Sequence, residues 1–306
     1  MPKERKPILI LANPSSGGGL AGELAPHLVE FLAERGRPSE VFFSSAPGQI
    51  TERAKEEGGG TTPWVVIGGD GTIREVLAAS PGPDRPIAVL PTGSANVLAT
   101  SLRLPKAPRE TVRMIEAGRT RLLDAGRLRN REGTRDFLLM FGSGFDGRVV
   151  REVHEKRKGG TLGMFRYFGP ILGNLYGFEP VRHWIRLEDG ERRGPYDLVI
   201  VTNVRHFGGL WKFPEGIEPD DGLLDCLGFK AQNAWSLIRL GFRGGVGALR
   251  EGIDLECHQA ARIRIEAEKE EPTQCDGDPG PSLPVEITVL PSCFRAIVPP
   301  GGTNDA

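Results

Sequence analysis

Short apolar runs alternate with helix-spaced segments over the first third of the chain. Pro7 to Ala12 reads as a strand, and Leu20 to Arg35 carries Leu24, Leu28, Phe31 and Leu32 at helical spacing. Glu40 to Phe43, Val65 to Ile67 and Ile87 to Leu90 are further short strands, with helices expected over Gln49 to Glu57 and from Ile73 to Ala79. Another helical stretch follows Asn96. This alternation continues to about residue 118 and predicts a doubly wound α/β domain. Ligands in such sheets bind beyond the carboxyl ends of the strands.

The pattern changes after about Arg121. Arg127 to Met140 reads as a hairpin turning over Asn130 to Gly133, and helices are expected near Arg148 to Lys158 and Leu162 to Tyr176. β-like runs then dominate: Val181 to Leu187, Tyr196 to Thr202, Leu223 to Phe229, Ala261 to Ala267, Val285 to Leu290 and Phe294 to Val298. One helix, about Ala234 to Leu249, interrupts them. The expected organisation is an α/β domain over residues 1–125, a domain rich in antiparallel strands over 126–298, and a short tail over 299–306.

Polar, glycine-bearing segments stand at three of the expected strand ends. Asn13-Pro14-Ser15-Ser16-Gly17-Gly18-Gly19 follows the first strand, Gly68-Gly69-Asp70-Gly71-Thr72 the third, and Pro91-Thr92-Gly93-Ser94-Ala95-Asn96 the fourth. Glycines let backbone amides approach an anion unobstructed, and a glycine-rich strand end facing a helix N-terminus is a phosphate site. Asn13 and Ser16 add side-chain donors, while Thr72 and Ser94 are each placed to cap the helix that follows. Asp70 is the unusual member, because a carboxylate alone repels phosphate. It makes sense if a divalent cation lies between the two, or if it positions a nucleotide through hydrogen bonds. The three loops together point to a nucleotide-dependent phosphoryl transferase.

Composition narrows this further. Lys plus Arg (39) against Asp plus Glu (40) leaves a net charge of −1, which argues against a nucleic-acid partner. Cys226, Cys257, Cys275 and Cys293 lie far apart with no Cys-x-x-Cys pair, so neither a structural zinc site nor a disulfide framework is expected. No apolar run is long enough for a signal peptide or a transmembrane segment, and a cytoplasmic location is expected. No segment specifies an oligomeric state.

The order and spacing of these motifs resemble the diacylglycerol-kinase catalytic family, which includes bacterial lipid kinases and the sphingosine and ceramide kinases. The likeness extends through Gly144-Phe145-Asp146, Asn203 with Gly208-Gly209, Asp220-Asp221-Gly222-Leu223-Leu224-Asp225 and Asp276-Gly277-Asp278, and so covers nearly the whole chain. It implies an N-terminal doubly wound α/β nucleotide-binding domain and a C-terminal antiparallel β-sandwich domain whose last strands return toward the first. It also implies an ATP-dependent kinase acting on a lipid hydroxyl, with ATP and Mg²⁺ as cofactors and a lipid substrate met at the membrane surface by peripheral association.

By the same resemblance, Asn13, Pro14, Ser15, Ser16, Gly17, Ser44, Gly69, Asp70, Gly71, Thr72, Ile73, Arg74, Glu75 and Ser94 contact ATP. Asp70 helps hold the Mg–nucleotide and the glycine amides hold its phosphates. A structural Mg²⁺ is implied at the backbone carbonyls of Glu218 and Leu223 and the Asp221 carboxylate, an oxygen-only set that suits this ion. Asp146 is placed at the edge of that network. Composition alone makes the same loop a solvated acidic turn.

In the family the triplet matching Asp276-Gly277-Asp278 is usually Asp-Gly-Glu, with a carboxylate accepting the proton of the lipid hydroxyl. Here Asp278 is one methylene shorter, and a general base must come within hydrogen-bond reach. Either the backbone moves closer, or Asp276 takes more of the role, or turnover is slower. A plain connecting turn is the simpler reading of the same residues. Two other functions stay open: a kinase with a soluble acceptor, as in NAD kinases, which share the Gly-Gly-Asp-Gly-Thr motif, and a nucleotide- or lipid-binding regulator. The second draws on the short acid at Asp278 and on Val97-Leu98, where the family often has Asp-Phe.

The basic run Arg148, Arg151, Lys156, Arg157 and Lys158 reads as a solvated helix face that can meet anionic lipid headgroups. Phe165, Tyr167 and Phe168 are candidates for insertion at that interface or for the core.

Overall fold

The computed structural model describes residues 6–156, 167–208 and 211–300. Arg157, Lys158, Phe165 and Gly209, named above, lie outside the described residues, as do the charged segment Met1–Arg5 and the end of the tail. The chain divides into two compact units, Met1–Leu123 with Ser292–Ala306, and Asp124–Pro291.

In the first unit the elements are β1 (Ile8–Ala12), α1 (Leu20–Glu34), β2 (Ser39–Phe43), α2 (Gln49–Glu57), β3 (Trp64–Gly68), α3 (Asp70–Ala78), β4 (Pro86–Pro91), α4 (Val97–Ser101) and α5 (Pro108–Ala117). The sheet runs β2-β1-β3-β4 with every pair parallel. All of β1 and β3 is buried, and so is β4 apart from Pro86. Strands covered by helices on both faces have no solvent side, which is why they read as unbroken apolar runs. Helix α1 buries Ala21, Ala25, Leu28 and Leu32, one stripe at helical spacing.

The second unit is a β-sandwich. Hairpin β5 (Thr120–Asn130) and β6 (Gly133–Phe137) turns at Arg131–Glu132, within the segment expected to turn. Then follow β7 (Met140–Ser143), α6 (Phe145–Glu155), α7 (Phe168–Leu175), β8 (His183–Arg186), β9 (Arg192–Tyr196), β10 (Leu198–Thr202), β11 (His206–Phe207), β12 (Trp211–Lys212) and β13 (Leu224–Phe229). The chain closes with α8 (Ala234–Gly245), β14 (Leu255–Ala260), β15 (Arg262–Ala267), β16 (Thr273–Cys275), β17 (Asp278–Pro279) and β18 (Val285–Ile297). One antiparallel sheet has the order β14-β13-β10-β7-β16-β17. In the other, β15 lies between β8 and the first part of β18. Phe141, Val199, Val201 and Cys226 of the first sheet and Ile185, Ile263, Ile265 and Ile287 of the second share one buried cluster. Cys226 and Cys275 sit in it as small hydrophobic side chains.

Two differences from the expected elements have clear causes. Val285–Leu290 and Phe294–Val298 are one strand rather than two, because Pro291 and Ser292, the latter at φ 52°, are accommodated inside β18. Its first residues pair with β15 in the second unit, and Arg295 and Ala296 pair in parallel with β4 in the first. Strand β14 has no clear strand signature in the sequence because Glu256, His258 and Gln259 dilute its apolar signal, although it pairs along the full length of β13.

Candidate active site

The order β2-β1-β3-β4 places a topological switch point between β1 and β3, where successive connections leave in opposite directions along the sheet. The loops after β1 and β3 start there, and the loop after β4 lies beside them. They are bonded to one another. Asn13 N–H donates to Ile67 O at 3.1 Å, Thr92 N–H to Gly68 O at 3.0 Å, and the Thr92 and Ser16 hydroxyls are 3.0 Å apart. Asn13 Oδ1 accepts from the amide and hydroxyl of Ser15, which curls the first loop on itself.

The glycines divide by cause. A Cβ on Gly17, at φ 65°, would lie 2.2 Å from Thr92 O, and one on Gly93 would lie 2.5 Å from the Cα of Gly69. A Cβ on Gly68 would lie 2.3 Å from Thr72 Oγ1. Gly17 and Gly93 are glycine because the loops touch, and Gly68 because the first turn of α3 folds back against it. Gly71 is different: it is exposed, and a Cβ there would meet nothing within 4 Å among the described residues. Its bare backbone is left facing open space at the start of α3.

Asp70 has a specific observed task. Its Oδ2 accepts the amide hydrogen of Val97 at 2.9 Å and its Oδ1 that of Leu98 at 3.2 Å. The carboxylate therefore caps α4 from another element and ties the third-strand loop to the fourth-strand loop. This corrects both local caps expected from the sequence. Gly69, not Thr72, is the N-cap of α3, and Thr72 is buried in its first turn with its amide donating to Gly69 O. Asn96, at φ 48°, precedes α4 without a side-chain cap bond, and Ser94 is exposed. The departure at Val97-Leu98 does not affect the Asp70 contact, since any residue supplies a backbone amide.

The remaining expected nucleotide contacts fall into two groups. Ile73 is in the core and its amide donates to Gly69 O, so it supports the loop from below. Glu75 Oε2 accepts from Gly48 N–H at 3.0 Å and its carbonyl from the Thr51 hydroxyl at 2.8 Å, which fixes the start of α2. Ser44, almost fully buried, donates its amide to Ala12 O at 3.0 Å. Pro14, Ser16 and Arg74 are half-buried, while Ser15, Gly17 and Ser94 are exposed at the loop surfaces.

Asp276-Gly277 is the two-residue turn of the β16–β17 hairpin, with φ 49° and 80°. Positive φ at both positions is the conformation that Asp-Gly favours and that matches strand twist. The two aspartates are held very differently. The Asp276 carboxylate accepts three backbone amides, from Leu138, Leu139 and Met140, at 2.9, 3.0 and 2.9 Å. Asp278 pairs across the hairpin with Cys275, and its side chain is 37% exposed with Oδ2 3.9 Å from Arg135 Nη2. Asp276 anchors the turn, and Asp278 presents a carboxylate outward from it.

Behind the turn lies a buried pair that the sequence did not connect. Gln274 Oε1 accepts the Gly277 amide at 3.0 Å, and Gln274 Nε2 donates to Asp146 Oδ2 at 3.3 Å. Burial pushes the Asp146 carboxyl up to about 7, against the opposing bond from Gln274. Arg148, expected on a solvated face, instead turns inward onto the buried Glu271, Nε to Oε1 at 2.5 Å. Arg151 and Lys156 are exposed, and Lys156 pairs with Glu152.

The loop at residues 218–223 is built around Asp124, a buried carboxylate that belongs to none of the sequence motifs. Asp124 Oδ2 accepts from Gly222 N–H at 2.7 Å, its amide donates to Pro219 O at 2.7 Å, and its carbonyl accepts from Asn203 Nδ2 at 2.7 Å. Asp221 Oδ1 accepts from Leu223 N–H at 2.9 Å. Burial, reinforced by the charges of Asp221 and Glu218, pushes the Asp225 carboxyl up to about 7, although a bond from Gln259 opposes it. Asp225 Oδ2 and Asn203 Oδ1 are buried and find no hydrogen-bond partner among the described residues. An excess of oxygen donors and negative charge suits a hard divalent cation. Among the described residues no three Asp, Glu, His or Cys side chains converge to hold an ion unaided. A set drawing on the Glu218 and Leu223 carbonyls with Asp221 is compatible with that.

Two family models match the chain: the diacylglycerol kinase catalytic domain over residues 7–128, and the YegS C-terminal NAD kinase β-sandwich-like domain over residues 140–298. The chain belongs to this bacterial lipid kinase family. A diacylglycerol kinase of Mycobacterium tuberculosis is 28% identical over 300 residues, covering 96% of each chain. A "Probable lipid kinase YegS-like" protein of Citrobacter koseri is 30% identical over 237 residues, covering 76% of this chain and 77% of that one. The crystal structure of a diacylglycerol kinase from Bacillus anthracis str. Sterne shares the fold, with a TM-score of 0.72 at 20% identity, covering 98% of this chain and 100% of that one. No described helix is long and apolar enough to cross a membrane.

Proposed function

We propose that this chain is an ATP-dependent lipid kinase transferring the γ-phosphoryl group to the hydroxyl of a diacylglycerol-like acceptor at a membrane surface. The observation that carries this reading is the set of three interlocked loops at the switch point, with Gly71 left open beside them. The loop amides from Asn13 to Gly17 and from Gly69 to Thr72 hold the phosphates, and Asp70 keeps the Ser94 loop in register with them. Arg74, Glu75 and Ser44 complete the surroundings of the nucleotide. Mg²⁺ supplies charge neutralisation on the transferring phosphoryl group when bound.

Asp278 is the general base in this reading. Its carboxylate takes the proton as the lipid oxygen bonds to the γ-phosphorus, and the bond from that phosphorus to the bridging oxygen breaks to release ADP. Asp276 is already engaged by three backbone amides, which leaves the more exposed Asp278 the freer carboxylate for that task. Glu218, Asp221 and Leu223 provide the structural Mg²⁺ ligands, braced by Asp124. The kinship of the β-sandwich to that of NAD kinases supports a soluble acceptor as the second reading. Incubation with γ-labelled ATP and a lipid extract, beside an NADP-formation assay, separates them. Label in a chloroform-soluble product supports the first, and NADP formation without labelled lipid supports the second.

A further inference from the structure

Helix α8 has two apolar faces, and only one of them is covered. Leu237, Leu240 and Gly244 are buried, with the Trp211 indole against the last; a Cβ on Gly244 would lie 2.7 Å from that ring. On the opposite side Trp235, Ile238, Phe242 and Val246 are exposed, at 78%, 46%, 72% and 61%. At about 100° per residue these four fall within one narrow stripe diametrically opposite the buried one, roughly 16 Å long. Ile253, beside the Asp254 that pairs with Arg243, adds a fifth exposed apolar side chain. The covered face fixes the helix in place, so the exposed stripe cannot rotate inward.

The charge around the stripe selects its partner. From Lys230 to Arg250 the chain carries four basic residues and no acid, and the first acid, Glu251, is exposed beyond the helix, two residues before Ile253. Lys230 and Arg243 are met by Glu256 and Asp254 from the segment behind. Arg239, exposed along the edge of the stripe, has no acidic partner among the described residues. Trp and Phe on one side with Arg at the margin is the pattern of a helix lying in the plane of a bilayer interface, its rings at headgroup level and its cations on anionic phosphates. A protein that phosphorylates a bilayer lipid has to contact the bilayer surface.

We infer that the exposed face of α8 docks the protein on an anionic lipid surface. The inference rests on the lipid-kinase reading for its purpose, but its test needs neither ATP nor turnover. The full chain is mixed with vesicles of phosphatidylcholine alone or with phosphatidylglycerol, and binding is read by flotation and by quenching of Trp fluorescence with brominated lipid. The expected result is binding to the anionic vesicles, with quenching that Trp235→Phe abolishes while flotation is kept. The double substitution Trp235→Ser, Phe242→Ser should weaken flotation by at least about tenfold, and Arg239→Glu should weaken it on anionic vesicles. Equal flotation of wild type and double variant overturns the inference. So does a wild type that is dimeric without lipid and becomes monomeric in the double variant, since a second copy then covers the face. Vesicle binding through α8 together with no lipid phosphorylation would leave this surface standing and remove the kinase reading instead.

Discussion

Asp70 Oδ2 lies 2.9 Å from the amide nitrogen of Val97, and the carboxylate thereby closes the loop after β3 onto the loop after β4. A residue that sequence alone casts as a partner of the nucleotide is also a helix cap supplied from a different element. Replacing Asp70 by Ala strands two amides at the start of α4 and should cost about 1–2 kcal/mol in thermal unfolding. Asp70→Asn keeps an acceptor oxygen, so its stability should stay closer to wild type. Its Mg-ATP affinity, measured by calorimetry, should nonetheless fall nearly as far as that of Asp70→Ala if the charge matters to the nucleotide. Equal stability for Asp70→Ala and wild type would remove the capping role.

The glycines offer an internal control. Gly71→Ala should leave the melting temperature at or slightly above wild type, because nothing in the fold occupies that space, while weakening ATP binding. Gly93→Ala forces a methyl against the Gly69 backbone and should destabilise by more than about 1 kcal/mol. Unchanged ATP binding in Gly71→Ala would argue that the open side of this loop does not meet the phosphates.

Much of the first unit was legible because its strands are buried on both faces, so Ile8–Ala12 and Trp64–Gly68 appear as unbroken apolar runs. The loops were legible because glycine is demanded there for reasons of space. What could not be read was which atom meets which. Asp70 to Val97, Asp276 to Leu138 and Asp124 to Gly222 are contacts between residues distant in sequence, made through backbone amides that carry no sequence signal. Strand β14 was hidden for a related reason: His258 and Gln259 reveal nothing of the ladder their backbones complete.

Asp276 and Asp278 should separate in kind. Asp276→Ala leaves three backbone amides without their acceptor and should lower stability by about 2 kcal/mol or more, with activity lost through the disordered turn. Asp278→Asn should fold like wild type and retain ATP. Asp278→Glu, which restores the missing methylene, should keep the base within reach of the hydroxyl and sustain turnover. A Glu variant as inactive as the Asn variant would mean that reach at this position is not what limits the reaction.

Asp146 sets a pH dependence. Its folded-state value is raised to about 7, so the folded protein holds a proton that the unfolded chain has lost above about pH 4. Its contribution to stability is therefore greatest below pH 4 and declines as pH rises toward 7. His183, buried and pushed down to about 4, works in the opposite sense, its contribution being lost as pH falls below about 6.5. Comparing wild type with Asp146→Asn isolates the first effect. The variant should gain on wild type as pH rises from 4 to 7, by at most about 1.4 kcal/mol per pH unit. A difference independent of pH would show that Asp146 is ionised in the folded protein throughout that range.

The central claim is that Asp278 activates a lipid hydroxyl against ATP held by the three loops. The most direct measurement is the transfer of label from γ-labelled ATP into lipid by wild type and Asp278→Asn, at matched ATP occupancy. The account predicts labelled lipid with wild type and a fall of about 10²–10⁴-fold in the variant, with ATP affinity unchanged. Wild-type rates in Asp278→Asn, or no labelled lipid from wild type where a control kinase succeeds, would contradict it.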